Sequence, residues 1–335
     1  MSAAAAMQRV AVIGAGAFGT ALALVAHRAG RDVTLWGRNP GEIELIRTER
    51  ENLRYLRGVD IPEAIEITAD PTRCSHADMV LMAVPAQATR AAATALAEQL
   101  PGVPTVACAK GLEYDTGRRQ SEIIAEALPS ARPAALSGPG FAEEIAREQP
   151  TAVTVAAADL DLAHALSVAL ASDSFRPYAS VDLIGVELGG AVKNVLAIAA
   201  GIVAGRSLGE SARAALIARG LAEMTRLGTA LGARAETFMG LSGLGDLVLT
   251  ATSRRSRNLA FGMALGEGRP AAELLSAGMP LVEGAPTARA VADLAAKHGI
   301  EAPISTAVAA IIDGSLSIDA AIEGLVNRPL KAETA

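Results

Sequence analysis

Lys193 is the only cation in the run Gly189-Gly190-Ala191-Val192-Lys193-Asn194-Val195-Leu196-Ala197-Ile198-Ala199. The apolar helix predicted there would take its ammonium out of water. Desolvation disfavours the charged form and lowers a lysine's pKa, which suits a general acid or base near neutral pH. The alternative is a lysine that snorkels to the surface. The adjacent glycine pair lets another group approach the helix and favours burial. Asp246 follows Gly243-Leu244-Gly245 and could orient such an ammonium. In Ser253-Arg254-Arg255-Ser256-Arg257-Asn258, Ser256 is placed to cap a helix that opens with Arg257 and Asn258. A helix N-terminus with an arginine and an asparagine makes a phosphate clamp; an exposed basic loop is the alternative on composition alone.

A second constellation lies near the start of the chain. Gly14-Ala15-Gly16-Ala17-Phe18-Gly19 follows a β-like run and opens a helical one, the context that a dinucleotide fingerprint requires. Gly14 permits the tight turn, Gly16 lets the backbone approach a pyrophosphate, and Gly19 allows close helix–sheet packing. Amides from Ala17 onward would face the phosphates. About 20 residues further on, NAD enzymes often carry an acid for the ribose 2′-hydroxyl. Here the sequence reads Trp36-Gly37-Arg38. The planar, charged Arg38 side chain could face a 2′-phosphate, which favours NADP(H), or use of both NADP(H) and NAD(H).

These residues need elements to hold them. Strands are predicted at Arg9–Ile13, Asp32–Trp36, Asp78–Val84, Thr105–Ala109, Ala134–Ser137, Thr151–Ala156 and Phe175–Tyr178. Helical patterns alternate with them at Ala17–Ala29, after an Asn39-Pro40 N-cap signal, and at Gln87–Leu100. That rhythm predicts an α/β fold, a doubly wound and mostly parallel Rossmann-type sheet. Ligands of such sheets bind beyond the carboxyl ends of the strands. Lys110 and the segment Ser137-Gly138-Pro139-Gly140-Phe141-Ala142 follow two of them, so Lys110 could hold an anionic substrate and Gly138–Ala142 could wall the nicotinamide. From about Asp182 only helical periodicity remains, at Val186–Ala204, Ala212–Leu231, Asn258–Leu265, Ala271–Leu275, Pro286–His298 and Thr306–Ile312. The expected division is a dinucleotide-binding domain over 1–181 and an all-α substrate domain over 182–335, with the active site in the cleft between them.

Composition narrows the function. The 335 residues carry 30 basic against 36 acidic side chains, a net charge of −6. Such a chain is a poor partner for nucleic acid or an anionic membrane. With 51% hydrophobic and 20% charged residues, disorder is excluded. Cys74 and Cys108 are too few for a disulfide framework and read as small buried hydrophobes. His27, His76, His164 and His298 are scattered, so no metal is expected. Met1–Met7 lacks the features of a signal peptide. The longest uncharged apolar stretch after Lys193, Asn194–Gly205, is too short to span a bilayer. A cytoplasmic enzyme is expected.

The ordered blocks GAGAFGTALA, LWGRN, AVP, AKGLE, SGPGFA, GVELGGAVKNVLAIAAG, RGLAEM, FMGLSGLGDLVLT, SRN and VEG resemble bacterial NAD(P)-dependent glycerol-3-phosphate dehydrogenases, from about Arg9 to Pro303. The resemblance implies interconversion of dihydroxyacetone phosphate and sn-glycerol 3-phosphate for glycerophospholipid synthesis, with Lys193 as the general acid/base. It places Lys110, Gly138, Gly140, Asp246, Ser256, Arg257 and Asn258 on the substrate. It places Ala17, Phe18, Arg38, Lys110, Ala142, Arg257, Leu281 and Glu283 on the cofactor, and it implies a homodimer. One position departs: the family commonly has Ser or Thr where this chain has Gly140. Either a backbone amide, a water or Thr250 replaces that hydroxyl, or substrate affinity is lower. The competing readings are another β-hydroxyacid-type dehydrogenase, similar to the 6-phosphogluconate or hydroxyisobutyrate enzymes, and a non-catalytic NAD(P)-binding sensor that would have no need of Lys193, Asp246 or Arg257.

Overall fold

The computed structural model describes residues 7–100, 102–276 and 280–329. The elements run β1 (Arg9–Ile13), α1 (Ala17–Arg28), β2 (Asp32–Trp36), α2 (Pro40–Glu49), β3 (Glu51–Asn52), β4 (Leu56–Asp60), β5 (Glu66–Thr68), β6 (Met79–Met82), α3 (Thr89–Ala95), β7 (Pro104–Ala107), α4 (Gln120–Ala127), β8 (Arg132–Ser137), α5 (Ala142–Ala146), β9 (Thr151–Ala157), α6 (Leu160–Leu170) and β10 (Phe175–Ser180). Helices alone follow among the described residues: α7 (Leu183–Gly205), α8 (Glu210–Ala230), α9 (Ala235–Phe238), α10 (Asp246–Thr252), α11 (Arg257–Gly266), α12 (Ala271–Leu274), α13 (Gly284–Lys297), α14 (Pro303–Asp313) and α15 (Ile318–Val326).

Eight strands form one sheet in the order β10-β9-β8-β7-β6-β1-β2-β5. All neighbours are parallel except β8 and β9. Val10, Val12 and Ile13 of β1 and all of β6 are buried, as strands covered on both faces must be. From β1 the chain steps outward through β2 to β5, then returns to β6 on the other side. The reversal leaves a crevice at the carboxyl ends of β1 and β6, where such sheets bind ligands.

Several local expectations hold. Asn39 Oδ1 accepts from the Gly41 and Glu42 amides at the start of α2, with Pro40 in the first turn, where its missing N–H costs nothing. Ser256 Oγ accepts from the Leu259 amide and caps α11. Others need correction. The strand expected over Asp78–Val84 is β6 and stops at Met82; the one expected to Ala109 is β7 and stops at Ala107. The helix expected over Gln87–Leu100 is a 3-10 turn at Ala86–Ala88 followed by the short α3. The β3–β4 hairpin and β5 lie in a segment where no element was expected.

The membrane argument also changes. α7 has 23 residues, enough to span a bilayer, because it begins well before Lys193. Every residue from Gly185 to Val203 is nevertheless buried in the protein, so α7 is a core helix. Val186 shares a buried cluster with Val80, Ala107 and Ala135 of the sheet, while its C-terminal two-thirds packs among the later helices. Glu187 accepts from the Ser121 amide (2.8 Å) and from Arg119 (3.1 Å), tying α7 to α4.

The closest helix pair is α7 with α11. A methyl group on Gly201 would stand 2.2 Å from the Leu259 carbonyl oxygen, and one on Gly262 would stand 2.1 Å from that of Ile198. One turn further on, Gly205 and Gly266 meet the opposite backbone in the same way. Two glycines spaced by four residues on each helix thus let backbone pack against backbone.

Candidate active site

Lys193 lies near the middle of α7 and is buried, which settles the choice between a core and a snorkelling lysine. Its Nζ donates to Asp246 Oδ1 (3.0 Å) and to Thr250 Oγ1 (2.7 Å). Thr250 in turn donates to Asp246 Oδ1 (3.2 Å). Asp246 opens α10, and Thr250 sits one turn later on the same face. The hydroxyl weighed as a replacement for the missing one at position 140 is therefore engaged with Lys193. The glycine pair admits protein: a methyl on Gly189 would meet the Ser242 carbonyl oxygen at 2.7 Å, and one on Gly190 would meet Ser137 Oγ at 2.5 Å. The first contact seats α7 against the π-helical turn Leu241–Gly245 that presents Asp246.

Lys110 arrives from the loop after β7. Its Nζ donates to Asp246 Oδ2 (2.7 Å) and to the Gly138 carbonyl (2.6 Å). Two lysines thus share one buried carboxylate. Burial drives Lys193 down to about 8; Asp246 opposes the shift and Lys110 adds to it. Burial alone would raise Asp246, but Lys110 and Lys193 override it and hold the carboxyl below its usual range. Lys193 uses two of its three N–H donors on these partners, leaving one for a ligand.

Asn194, which sequence reasoning passed over, is the joint of a buried carboxamide relay. Its Nδ2 donates to the Lys110 carbonyl (2.8 Å), and its Oδ1 accepts from Asn258 Nδ2 (2.8 Å). Asn258 Oδ1 accepts from the Gly284 amide (3.0 Å). An amide side chain directly after a buried lysine was the available signal. The Asn258 side chain is therefore largely spent inside the protein, and Ser256 Oγ on its cap. What α11 offers a ligand is its free first-turn backbone amides and the exposed Arg257.

Around the crevice, Gly14 adopts φ +113°, and a methyl there would collide with the Ala83 carbonyl oxygen at 2.7 Å. A methyl on Gly19 would strike Gly14's own carbonyl. At Gly16 a methyl would meet nothing within 4 Å, so this side of the turn is open. Gly16 caps α1 without a side-chain hydrogen bond, leaving the amides of Ala17, Phe18 and Gly19 without intrahelical acceptors. An open glycine cradle at a helix N-terminus fits a dinucleotide pyrophosphate. Arg38 is exposed beyond β2, with no hydrogen bond among the described residues. Ala142 starts α5, and Gly138 takes φ +143° against Val153. Leu281 is exposed. Glu283 accepts from the Ala86 amide (3.1 Å), and burial pushes its carboxyl up despite that bond and nearby Arg257.

Gly140 has a local reason. A methyl there would stand 2.9 Å from Ile145 Cδ1 and 3.2 Å from Thr151 Cγ2, so a Ser or Thr needs Ile145 to move. Cys74 and Cys108 are buried free thiols, and burial raises both, Cys74 to about 12. No cluster of potential metal ligands occurs among the described residues.

A glycine cradle at the switch point of a parallel sheet, facing a helical layer with a buried lysine, defines a two-layer nicotinamide-dinucleotide dehydrogenase. Residues 9–163 match the model of the NAD-dependent glycerol-3-phosphate dehydrogenase N-terminus, and residues 182–323 match that of its C-terminus. The chain belongs to this glycerol-3-phosphate dehydrogenase family. A glycerol-3-phosphate dehydrogenase [NAD(P)+] of Bradyrhizobium sp. (strain ORS 278) is 57% identical over 97% of this chain and 98% of its own length. That of Parvibaculum lavamentivorans is 52% identical over 98% and 99%. The crystal structure of glycerol-3-phosphate dehydrogenase from Coxiella burnetii superposes with a TM-score of 0.91 at 39% identity, covering 96% of this chain and 99% of that one. These relatives support the glycerol-phosphate reading and neither alternative. The protein is an NAD(P)-dependent oxidoreductase.

Proposed function

We propose that the chain interconverts dihydroxyacetone phosphate and sn-glycerol 3-phosphate, supplying glycerophospholipid synthesis, with Lys193 as general acid/base. The observation that carries this is the Lys110–Asp246–Lys193 cluster, joined to the first turn of α11 through the Asn194–Asn258 hydrogen bond. The cradle residues Gly14, Gly16 and Gly19, the α1 amides of Ala17 and Phe18, and Arg38, Ala142, Leu281 and Glu283 would hold the cofactor. The bound nicotinamide cofactor supplies or accepts the hydride at C2. In reduction, Lys193 gives its proton to the C2 oxygen; in oxidation it takes the proton back. Asp246 and Thr250 hold the ammonium in place. Lys110, anchored by Asp246 and Gly138, offers positive charge to the anionic substrate beside the backbone at Gly140.

Arg257, with the amides of Arg257 and Asn258 on the turn capped by Ser256, would take the phosphate. Binding energy spent there aligns C2 for reaction. Losing one charge-assisted hydrogen bond costs about 1.5–3 kcal/mol. Arg257→Ala is therefore expected to raise KM for dihydroxyacetone phosphate about 10- to 100-fold, read in initial rates at saturating cofactor. An unchanged KM would return Arg257 to the role of an exposed loop residue.

The primary test is oxidation of NADPH and of NADH at 340 nm with dihydroxyacetone phosphate. Absence of turnover with both, in folded protein that binds cofactor, overturns the substrate assignment. The same assay reads Arg38. If it faces a 2′-phosphate, Arg38→Ala lowers the NADPH:NADH ratio of kcat/KM about tenfold or more, the loss of one charged contact; an unchanged ratio removes Arg38 from cofactor selection. The division at 181/182, between β10 and α7, is proposed as the domain boundary. Family resemblance supports a homodimer and a cytoplasmic location, and the acidic composition supports an enzyme without nucleic-acid or anionic-membrane partners.

A further inference from the structure

We infer that Asn52, on the β3–β4 hairpin, is a positioning residue that sets the pyrophosphate turn in its ligand-binding orientation. The inference rests on the cofactor reading of the Gly14–Gly19 turn. Asn52 is fully buried. Its Nδ2 donates to the Ala15 carbonyl (3.0 Å) and to Thr20 Oγ1 (2.9 Å), and its Oδ1 accepts from the Tyr55 amide (3.1 Å). The direction of the carboxamide is fixed by these partners. The reverse orientation would set Oδ1 against the Ala15 carbonyl and two amide hydrogens against the Tyr55 N–H.

The Ala15–Gly16 peptide is trans. In a trans peptide the carbonyl and the following N–H point in opposite directions. With the Ala15 carbonyl drawn inward to Asn52, the Gly16 N–H must point outward. Gly16 also has open space where a side chain would stand, so a pyrophosphate can come close to the turn that presents this N–H. Without Asn52, the Ala15 carbonyl loses its partner and the peptide plane is free to rotate, carrying the Gly16 donor away.

The hairpin is built to hold Asn52 still. Arg50 adopts a left-handed conformation (φ 50°). Its Nη1 donates to the Ile65 carbonyl (2.9 Å), and its own carbonyl accepts from the Ile61 amide (2.7 Å). Glu51 accepts from the Gly58 amide (2.7 Å). The two-strand insertion therefore braces the turn from outside the main sheet.

The test is calorimetric titration of wild type and Asn52→Ala with NADPH and with ADP-ribose, which keeps the pyrophosphate and lacks nicotinamide. Both dissociation constants are expected to rise together, by about tenfold, the equivalent of about 1.4 kcal/mol. KM for dihydroxyacetone phosphate and kcat, at saturating cofactor, stay within about twofold, the scale of a change felt at a distance. Asn52→Asp, which sets a carboxylate against the Ala15 carbonyl, weakens both ligands further. Should the alanine variant not melt cooperatively, Asn52→Ser is used, which keeps a polar group too short to reach Ala15. A change below threefold in both dissociation constants, or a loss confined to kcat and substrate KM, overturns the inference. Failure of dihydroxyacetone phosphate turnover by wild type would overturn the substrate reading and leave these binding measurements intact.

Discussion

Lys193→Ala lowers kcat for dihydroxyacetone phosphate reduction by about two to four orders of magnitude, the range a positioned general acid contributes. NADPH affinity is expected to be preserved, because the glycine cradle belongs to the sheet and Lys193 to α7. A variant that turns over within tenfold of wild type would remove the proton-transfer role. The wild-type pH profile carries the same signature. Lys193 is held near 8 by burial; with Lys193 as the proposed acid, reduction needs its protonated form, and the reduction rate is expected to decline as pH rises through about 8. Oxidation needs the neutral amine and rises over the same interval. The shift also bears on stability. Between pH 8 and the ordinary lysine value of 10.5, the unfolded chain keeps a proton that the folded chain has released. The cost of burying Lys193 is full below 8 and fades as pH climbs through that window.

Asp246→Asn is expected to be the most destabilising change in the site. Asp246 is buried and faces both Lys110 and Lys193. Removing one partner of a buried ion pair leaves uncompensated charge and costs about 3–5 kcal/mol. Urea unfolding at pH 7 reads that loss. Without the carboxylate the pKa of Lys193 drops further, so the alkaline limb of the reduction profile moves to lower pH. A loss of stability below about 1 kcal/mol, the worth of an exposed pair, together with an unmoved limb would show that the three groups do not act as a unit.

Local rules made much of this legible. The fingerprint at Gly14–Gly19 could be read because each glycine answers a separate steric demand within six residues. Ser256 and Asn39 were legible as caps because the capping oxygen and its amide lie three residues apart or fewer. The burial of Lys193 was readable only as a balance of alternatives, since its partners Asp246 and Thr250 come from α10, 53 and 57 residues away. The Asn194–Asn258–Gly284 relay joins residues up to 90 positions apart, and a lone asparagine announces no partner. Asn52 was invisible for the same reason: its acceptors Ala15 and Thr20 lie 37 and 32 residues earlier. The helix α7 was legible over Val186–Ala204, within three residues of its observed ends; only its membrane-spanning length was missed, because the apolar count began after Lys193, whose charge the folded chain pairs within its own core.

The glycine seam between α7 and α11 has a consequence for recognition. Arg257 heads α11 and Lys193 rides on α7, and the two helices meet backbone to backbone at Gly201, Gly205, Gly262 and Gly266. At these four positions no side-chain layer lies between them to yield. On the roles proposed for Arg257 and Lys193, the pair acts as a gauge block that holds the phosphate seat and the proton donor a set span apart. Dihydroxyacetone phosphate satisfies the gauge because a single methylene separates its carbonyl carbon from the phosphate ester oxygen. A homologue with its carbonyl one carbon nearer or further would fill the seat and present its oxygen off the mark. The expected result is discrimination by length, with such compounds occupying the phosphate seat and inhibiting without being turned over.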